Sequence, residues 1–146
     1  MVNFNKVGML LLSNDETRFL VCQKNHFTSK FIMPGGRFEK CENDEECLTR
    51  EIKEELDVDI DITSLKFIGQ YQDVAAGDPN KDVVIRLYKG KVVGEPKPTN
   101  EIIRFHWISK DDVSNPLVSP IIKNKIIPDL IKRKILKNIR GIRKSK

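Results

Sequence analysis

Apolar residues recur along this chain with two different periods, and the change of period marks out its elements. Short apolar runs at residues 7–12 and 19–22 flank the polar stretch Ser13-Asn14-Asp15-Glu16-Thr17, the layout of paired strands around a turn. Residues 65–71 and 83–88 repeat it on either side of a Gly77-Asp78-Pro79-Asn80 loop. Residues 104–108 make a further strand, with Phe105 and Trp107 on one face and Arg104 and His106 on the other. That phase assigns Trp107 to the core, while His106 and His26 read as polar surface residues.

Helical spacing takes over in two places. Asn43 followed by Glu46 is a capping box, and good helix formers run from there without Gly or Pro to at least Leu56, which predicts a helix of three to four turns starting near Asp44. From residue 121 on, Ile122, Ile126, Leu130, Ile131, Ile135 and Ile139 form a second helical stripe, kinked or restarted at Pro128 and stopped near Gly141. Pro96, Pro98, Pro116 and Pro120 mark loops.

The first helix carries the candidate chemistry. Leu48, Ile52 and Leu56 form its apolar stripe, and Glu51, Glu54 and Glu55 fall along the flank of that stripe at i, i+3 and i+4. Crowded carboxylates repel, so a positive partner is expected there; hard divalent cations such as Mg2+ prefer oxygen ligands and leave positions for water and phosphates. A solvated acidic face is the competing reading of such a run.

The spacing around this helix extends beyond it. Gly36, Glu42, Arg50, Glu51, Ile52, Glu54, Glu55 and Val58 match G-x5-E-x7-R-E-U-x-E-E-x-G-U, with U aliphatic. Phe31-Ile32-Met33-Pro34-Gly35-Gly36 adds an aromatic-x-x-Pro-Gly-Gly lead-in. Together these residues resemble the Nudix hydrolases, the MutT-like pyrophosphohydrolases. One position departs, Asp57 standing in place of the usual Gly; Asp tolerates a left-handed exit from a helix better than most residues, so the turn is expected to survive.

The resemblance implies an α/β fold of the Nudix type, an α/β/α sandwich with a mixed sheet, which also suits the order of strands and helices. It implies Mg2+, with Mn2+ as the alternative ion, held by Glu51, Glu54, Glu55 and the Gly36 carbonyl, with Glu101 as a further carboxylate. Arg50 is implied to brace a catalytic Glu, although it is also placed to pair with Glu46 or Glu54 on the surface. Spacing leaves the general base open between Glu54 and Glu51, with Glu101 as a third option. Arg37 is a candidate phosphate contact or an exposed turn residue, and Phe27 and Phe31 are candidates for stacking on a nucleobase. The loops at 25–31 and 72–82 are expected to shape specificity.

The implied reaction is Mg2+-dependent hydrolysis of a diphosphate linkage in a nucleoside diphosphate derivative: a nucleoside triphosphate, an oxidised nucleotide, a nucleotide sugar or a dinucleotide. The alternative is a non-catalytic module that senses a nucleotide or binds RNA. A homodimer is open, since many relatives pair, yet nothing in the sequence singles out an interface.

Composition narrows the picture further. At 146 residues the chain fits one domain with a real core. No apolar stretch approaches a membrane span and the N-terminus lacks a signal-peptide layout, so a cytoplasmic location is expected. Cys22, Cys41 and Cys47 are odd in number and unpaired in spacing, against a disulfide framework or a zinc site; Cys47 reads as a small apolar helix residue, and Cys41 stands where Nudix relatives often have Gly. The net charge of +5 is uneven: residues 1–131 hold 18 basic and 21 acidic side chains, and residues 132–146 hold eight basic and no acidic ones. The reading is a domain at 1–131 and a basic helix end and tail at 132–146, either solvated or in contact with nucleic acid.

Overall fold

The computed structural model describes residues 2–24, 30–99 and 102–139, excluding the side chain of Ile103. Its strands are β1 (Phe4–Leu10), β2 (Phe19–Lys24), β3 (Gly35–Arg37), β4 (Asp59–Val74), β5 (Asp82–Val93) and β6 (Ile102–Ile108). Helix α1 (Asp44–Leu56) lies between β3 and β4. After β6 come a 3-10 turn (Lys110–Ser114), a π-helical turn (Ile122–Ile126) and helix α2 (Ile127–Lys132). The main sheet has the order β3-β1-β5-β4, with β1 parallel to β5 and antiparallel to β3, and β4 antiparallel to β5. Strands β2 and β6 pair antiparallel in a second, two-stranded sheet.

Side-chain alternation in the central strands builds two cores, one on each face of the main sheet. Val7 and Met9 of β1 pack with Leu48, Ile52 and Leu56 of α1, whereas Leu10 joins Ile85 and Leu87 of β5 against Ile122, Ile126 and Leu130 from the C-terminal turns. This is the expected α/β/α sandwich with a mixed sheet. Leu48, Ile52 and Leu56 are fully buried, each contributing about 1.5–3 kcal/mol by leaving water.

Helix α1 begins and ends as its sequence dictates. The Asn43 side chain accepts a hydrogen bond from the Glu46 N–H at 2.8 Å, and Glu46 accepts from the Asn43 N–H at 3.0 Å. Asp57 closes the helix in the left-handed region, φ 56° and ψ 39°, with its N–H donating to the Lys53 carbonyl. Cys41 also has positive φ, 67°, which accounts for the Gly that the family resemblance expects there.

Three long-range expectations are corrected. The runs at 7–12 and 19–22 pair only beside the polar turn, where Leu12 bridges Phe19, the Ser13 N–H donates to the Arg18 carbonyl and the Leu20 N–H to the Leu11 carbonyl; farther on they go to separate sheets, because β1 has its hydrogen-bonding edges filled by β3 and β5. Trp107 is 45 % exposed: β6 has only β2 beside it, and the cover over its Phe105 face stops short of the indole. The C-terminal stripe is not one helix. Pro128 sits in the first turn of α2, the helix ends at Lys132, and Lys134 at φ 61° turns the chain back so that Leu136 enters the core. Gly141 and the end of the basic tail lie outside the described residues.

Candidate active site

Two adjacent glycines let three elements meet. Gly35 has φ +136°, and a Cβ there would lie 2.1 Å from the Val7 carbonyl oxygen of β1; a Cβ on Gly36 would lie 2.3 Å from the Glu51 carboxylate carbon. The first glycine therefore keeps β3 against β1, and the second makes room for a helix carboxylate. The Gly35 N–H also donates to Glu55 at 2.9 Å, tying strand to helix across the same corner.

Arg50 organises the acids around this corner. Its Nε and Nη2 donate to both oxygens of Glu42, at 2.6 and 2.9 Å, in a bidentate pair. Its Nη1 donates to Glu51 at 2.8 Å and Glu54 at 3.3 Å, and Nη2 also reaches the Arg37 carbonyl at 3.0 Å. The hydrogen bonds from Arg50 hold the Glu42 pKa down to about 2, and in return raise that of Arg50. The surface pairing with Glu46 does not form; Arg50 faces inward instead.

Glu55 is 1 % exposed, and burial raises its pKa against the opposing pull of Lys24 and the Gly35 N–H. Its Oε2 lies 2.9 Å from Lys24 Nζ as an ion pair, and its Oε1 accepts from the Gly35 N–H. Cys47 is buried beside the corner, and its thiol pKa is pushed up to about 12 by burial and then by Glu42.

The corner opens into a cleft of about 870 Å3. Glu51 and Glu54 of α1 line it, together with Lys6 from β1, Arg37 from β3 and Lys81 from the loop before β5. Arg37 and Lys81 both lie against the Phe4 ring, 5.5 and 5.7 Å from its centroid. Burial lowers the Lys6 pKa, and Lys24 and Arg37 lower it further against the opposing pull of Glu55 and Glu51. Of the loops expected to shape specificity, the second contributes Ala75, Ala76, Gly77 and Asp78 as well as Lys81.

Most sequence candidates converge here. Arg50, Glu51, Glu54, Gly36 and Arg37 line the cleft, and Glu55 lies buried behind Gly35. Phe31 is a correction: it is 5 % exposed, packed in the core and stacked on His106 at 4.2 Å, so its ring offers no face to a base. His106 is likewise not a plain surface residue, for its buried Nε2 has no hydrogen-bond partner. Phe27, His26 and Glu101 lie outside the described residues. Phe4, Lys6, Lys24 and Lys81 were not singled out by sequence; the only local signal is a lysine at the end of an otherwise apolar strand, which strand ends commonly carry.

Among the described residues, no three His, Cys, Asp or Glu side chains converge into a cation site. Glu51 and Glu54 are drawn to Arg50, and Glu55 to Lys24 and Gly35. The chemistry of the donor set nevertheless fits a hard cation: Glu51, Glu54 and Glu55 present carboxylate oxygens from neighbouring positions of one helix beside the cleft.

The NUDIX domain family matches residues 3–130. The chain belongs to that family. Solved Nudix structures share its fold: the MutT protein from Methanosarcina mazei Go1 (TM-score 0.73, 21 % identity) covers 90 % of this chain and 95 % of its own length. A MutT NUDIX hydrolase from Burkholderia pseudomallei (0.66, 20 %) covers 81 % and 92 %. The NUDIX domain of Shewanella oneidensis NrtR, solved with ADP ribose, covers 92 % and 90 % (0.67, 17 %). No curated protein matches the chain. The protein is accordingly an enzyme of the Nudix hydrolase type, acting on phosphoanhydride bonds of nucleoside diphosphate derivatives. Among the described residues, no helix is long and apolar enough to cross a membrane.

Proposed function

We propose that this Nudix hydrolase cleaves the diphosphate linkage of a nucleotide substrate with Mg2+, or Mn2+ in its place, and that its chemistry resides at the Gly36–Arg50–Glu51 corner. The observation that carries this reading is the Arg50 network: one guanidinium joins Glu42, Glu51 and Glu54 beside a glycine that leaves room for the Glu51 carboxylate. A solvated acidic face has no need of such an arrangement.

Glu51, Glu54 and Glu55, with the Gly36 carbonyl, are the groups that would hold the cation, and Glu101 is a further candidate. When bound, the cation offsets the charge of the diphosphate and lowers the pKa of a water molecule. The chain's own residues supply the remaining functions. Arg50 holds Glu51 and Glu54 in fixed directions, and Glu42 anchors Arg50. Glu54, 56 % exposed at the cleft wall, is placed to take a proton from an attacking water; Glu51 is the other candidate for that role. Arg37 is placed to hold a phosphate oxygen.

The ADP ribose bound to the NrtR domain supports a small nucleotide as the ligand class. The test is product release from a panel of nucleoside triphosphates, nucleotide sugars and dinucleotides, with Mg2+ and with chelator, for the natural enzyme and Glu54→Gln. Loss of turnover in chelator and in the variant is expected. Turnover that survives both would refute the assignment.

A further inference from the structure

The cleft is lined by a helix wall that carries acids and a strand wall that carries cations, and among the described residues close ion pairs join only the acids. On the helix wall, Glu51 and Glu54 are paired with Arg50. On the strand wall, Lys6, Arg37 and Lys81 come from three separate elements, and among the described residues no carboxylate lies within ion-pair distance of any of them. Lys24, next to Lys6, does have Glu55. Asp78, which also lines the cleft, is turned toward its own loop, where it accepts from the Asn80 N–H.

Like charges gathered in a partly buried cleft cost stability unless a counter-charge arrives. Burial, Lys24 and Arg37 weaken proton binding at Lys6 even against the longer-range pull of Glu55 and Glu51. Phe4 fixes the spacing, with the Arg37 guanidinium and the Lys81 ammonium both held against its ring. Because the three cations come from β1, β3 and the loop before β5, the main sheet and not a flexible tail sets their positions.

We propose that Lys6, Arg37 and Lys81 form a phosphate-reading wall that selects substrates carrying at least one phosphate beyond the two that flank the scissile bond. This rests on the function proposed above. The diphosphate being cleaved lies toward the acidic wall, where a cation offsets its charge. A third phosphate has no such partner and meets the strand wall. A nucleoside triphosphate supplies that phosphate, whereas a nucleotide sugar presents a neutral ring at the same place and leaves the cations unpaired.

Inorganic tripolyphosphate and pyrophosphate, titrated calorimetrically into the full chain with chelator present, read the wall without any hydrolysis. Tripolyphosphate is expected to bind the more tightly. Lys6→Met and Lys81→Met each weaken it by roughly tenfold or more, as for loss of a charge-assisted hydrogen bond, while Lys6→Arg and Lys125→Met, an exposed lysine that does not line the cleft, stay within about twofold. Lys6→Met should unfold at a temperature no lower than the natural chain, because it relieves repulsion; a merely structural lysine would lower it. With Mg2+, Lys6→Met is expected to reduce the ratio of kcat/KM for a nucleoside triphosphate over that for a nucleotide sugar by roughly tenfold. Equal losses on both substrates, or tripolyphosphate binding as sensitive to Lys125→Met as to Lys6→Met, overturn the wall. Tripolyphosphate binding with no nucleotide hydrolysis would refute the proposed reaction and still support the wall.

Discussion

The two walls of the cleft are built in opposite ways. The acidic wall comes from one continuous stretch, residues 36–58, in which a capping box, a helical period and a left-handed exit fix where each carboxylate goes. The cationic wall is assembled from residues 6, 37 and 81, brought together only because β1 lies between β3 and β5. The acids are cross-linked by one arginine; of the three cations, Arg37 and Lys81 share the Phe4 ring as a spacer. Reaction chemistry therefore sits on a locally encoded, internally neutralised element, and substrate choice on a surface whose counter-charge must come from outside.

That contrast is open to direct attack. The largest effect is expected on the acidic wall: Glu51→Gln and Glu54→Gln should each lower Mg2+-dependent turnover by about 10³-fold or more with melting temperature nearly unchanged, since both groups act on the reaction and neither is in the core. Turnover near the natural rate in either variant removes that residue from the chemistry.

The adjacent glycines come next and should separate fold from site. Gly35→Ala places a Cβ on the β1 backbone at a left-handed φ and is expected to cost about 3 kcal/mol or more in denaturant unfolding. Gly36→Ala meets a movable carboxylate instead, so its stability loss should stay near 1–2 kcal/mol while turnover falls about 10²-fold as Glu51 is displaced. The opposite ranking would mean that Gly36 serves the fold and not the site.

Acid titration probes the arginine clamp. Glu42 has its pKa lowered from 4.5 to about 2 in the folded chain, so its stabilising contribution is complete above pH 4.5 and is lost as pH falls from there toward 2. The gap in melting temperature between the natural chain and Glu42→Gln should accordingly narrow as pH drops from 5 to 3. A constant gap would show that the clamp stabilises by packing and not by charge.

The smallest expected effect lies at the exit from α1. Asp57→Gly relieves a left-handed residue but frees the unfolded chain, and the balance should be a gain of about 0.5 kcal/mol without loss of activity. A loss of stability would show that the Asp57 side chain itself holds the helix end.

Legibility followed the same division. The helix start at Asp44, the left-handed Asp57, the buried Cys47 and the inner stripe of Leu48, Ile52 and Leu56 could all be read from sequence, because each depends on residues within about one or two helical turns. The pairing of β1 with β5 could not, since it joins residues nearly eighty positions apart and its apolar run suits several partners equally. Phe31 is buried and Trp107 exposed, against expectation, for a related reason: local pattern says which residues share a face, and says nothing of how far neighbouring elements cover it. The C-terminal stripe carried a helical period past Lys132, and a single left-handed residue, Lys134, ended it there.

By itself, the sequence determined the family, the α/β class and the line of carboxylates along α1, because helix periodicity and capping act over a few residues and leave their spacing in the chain. Tertiary structure alone decided that Arg50 turns inward to Glu42, that Glu55 is buried against Lys24, and that Lys6, Arg37 and Lys81 from separate elements line the same cleft as Glu51 and Glu54. Electrostatic partnership depends on distance in space, and distance along the chain does not specify it until the sheet has formed.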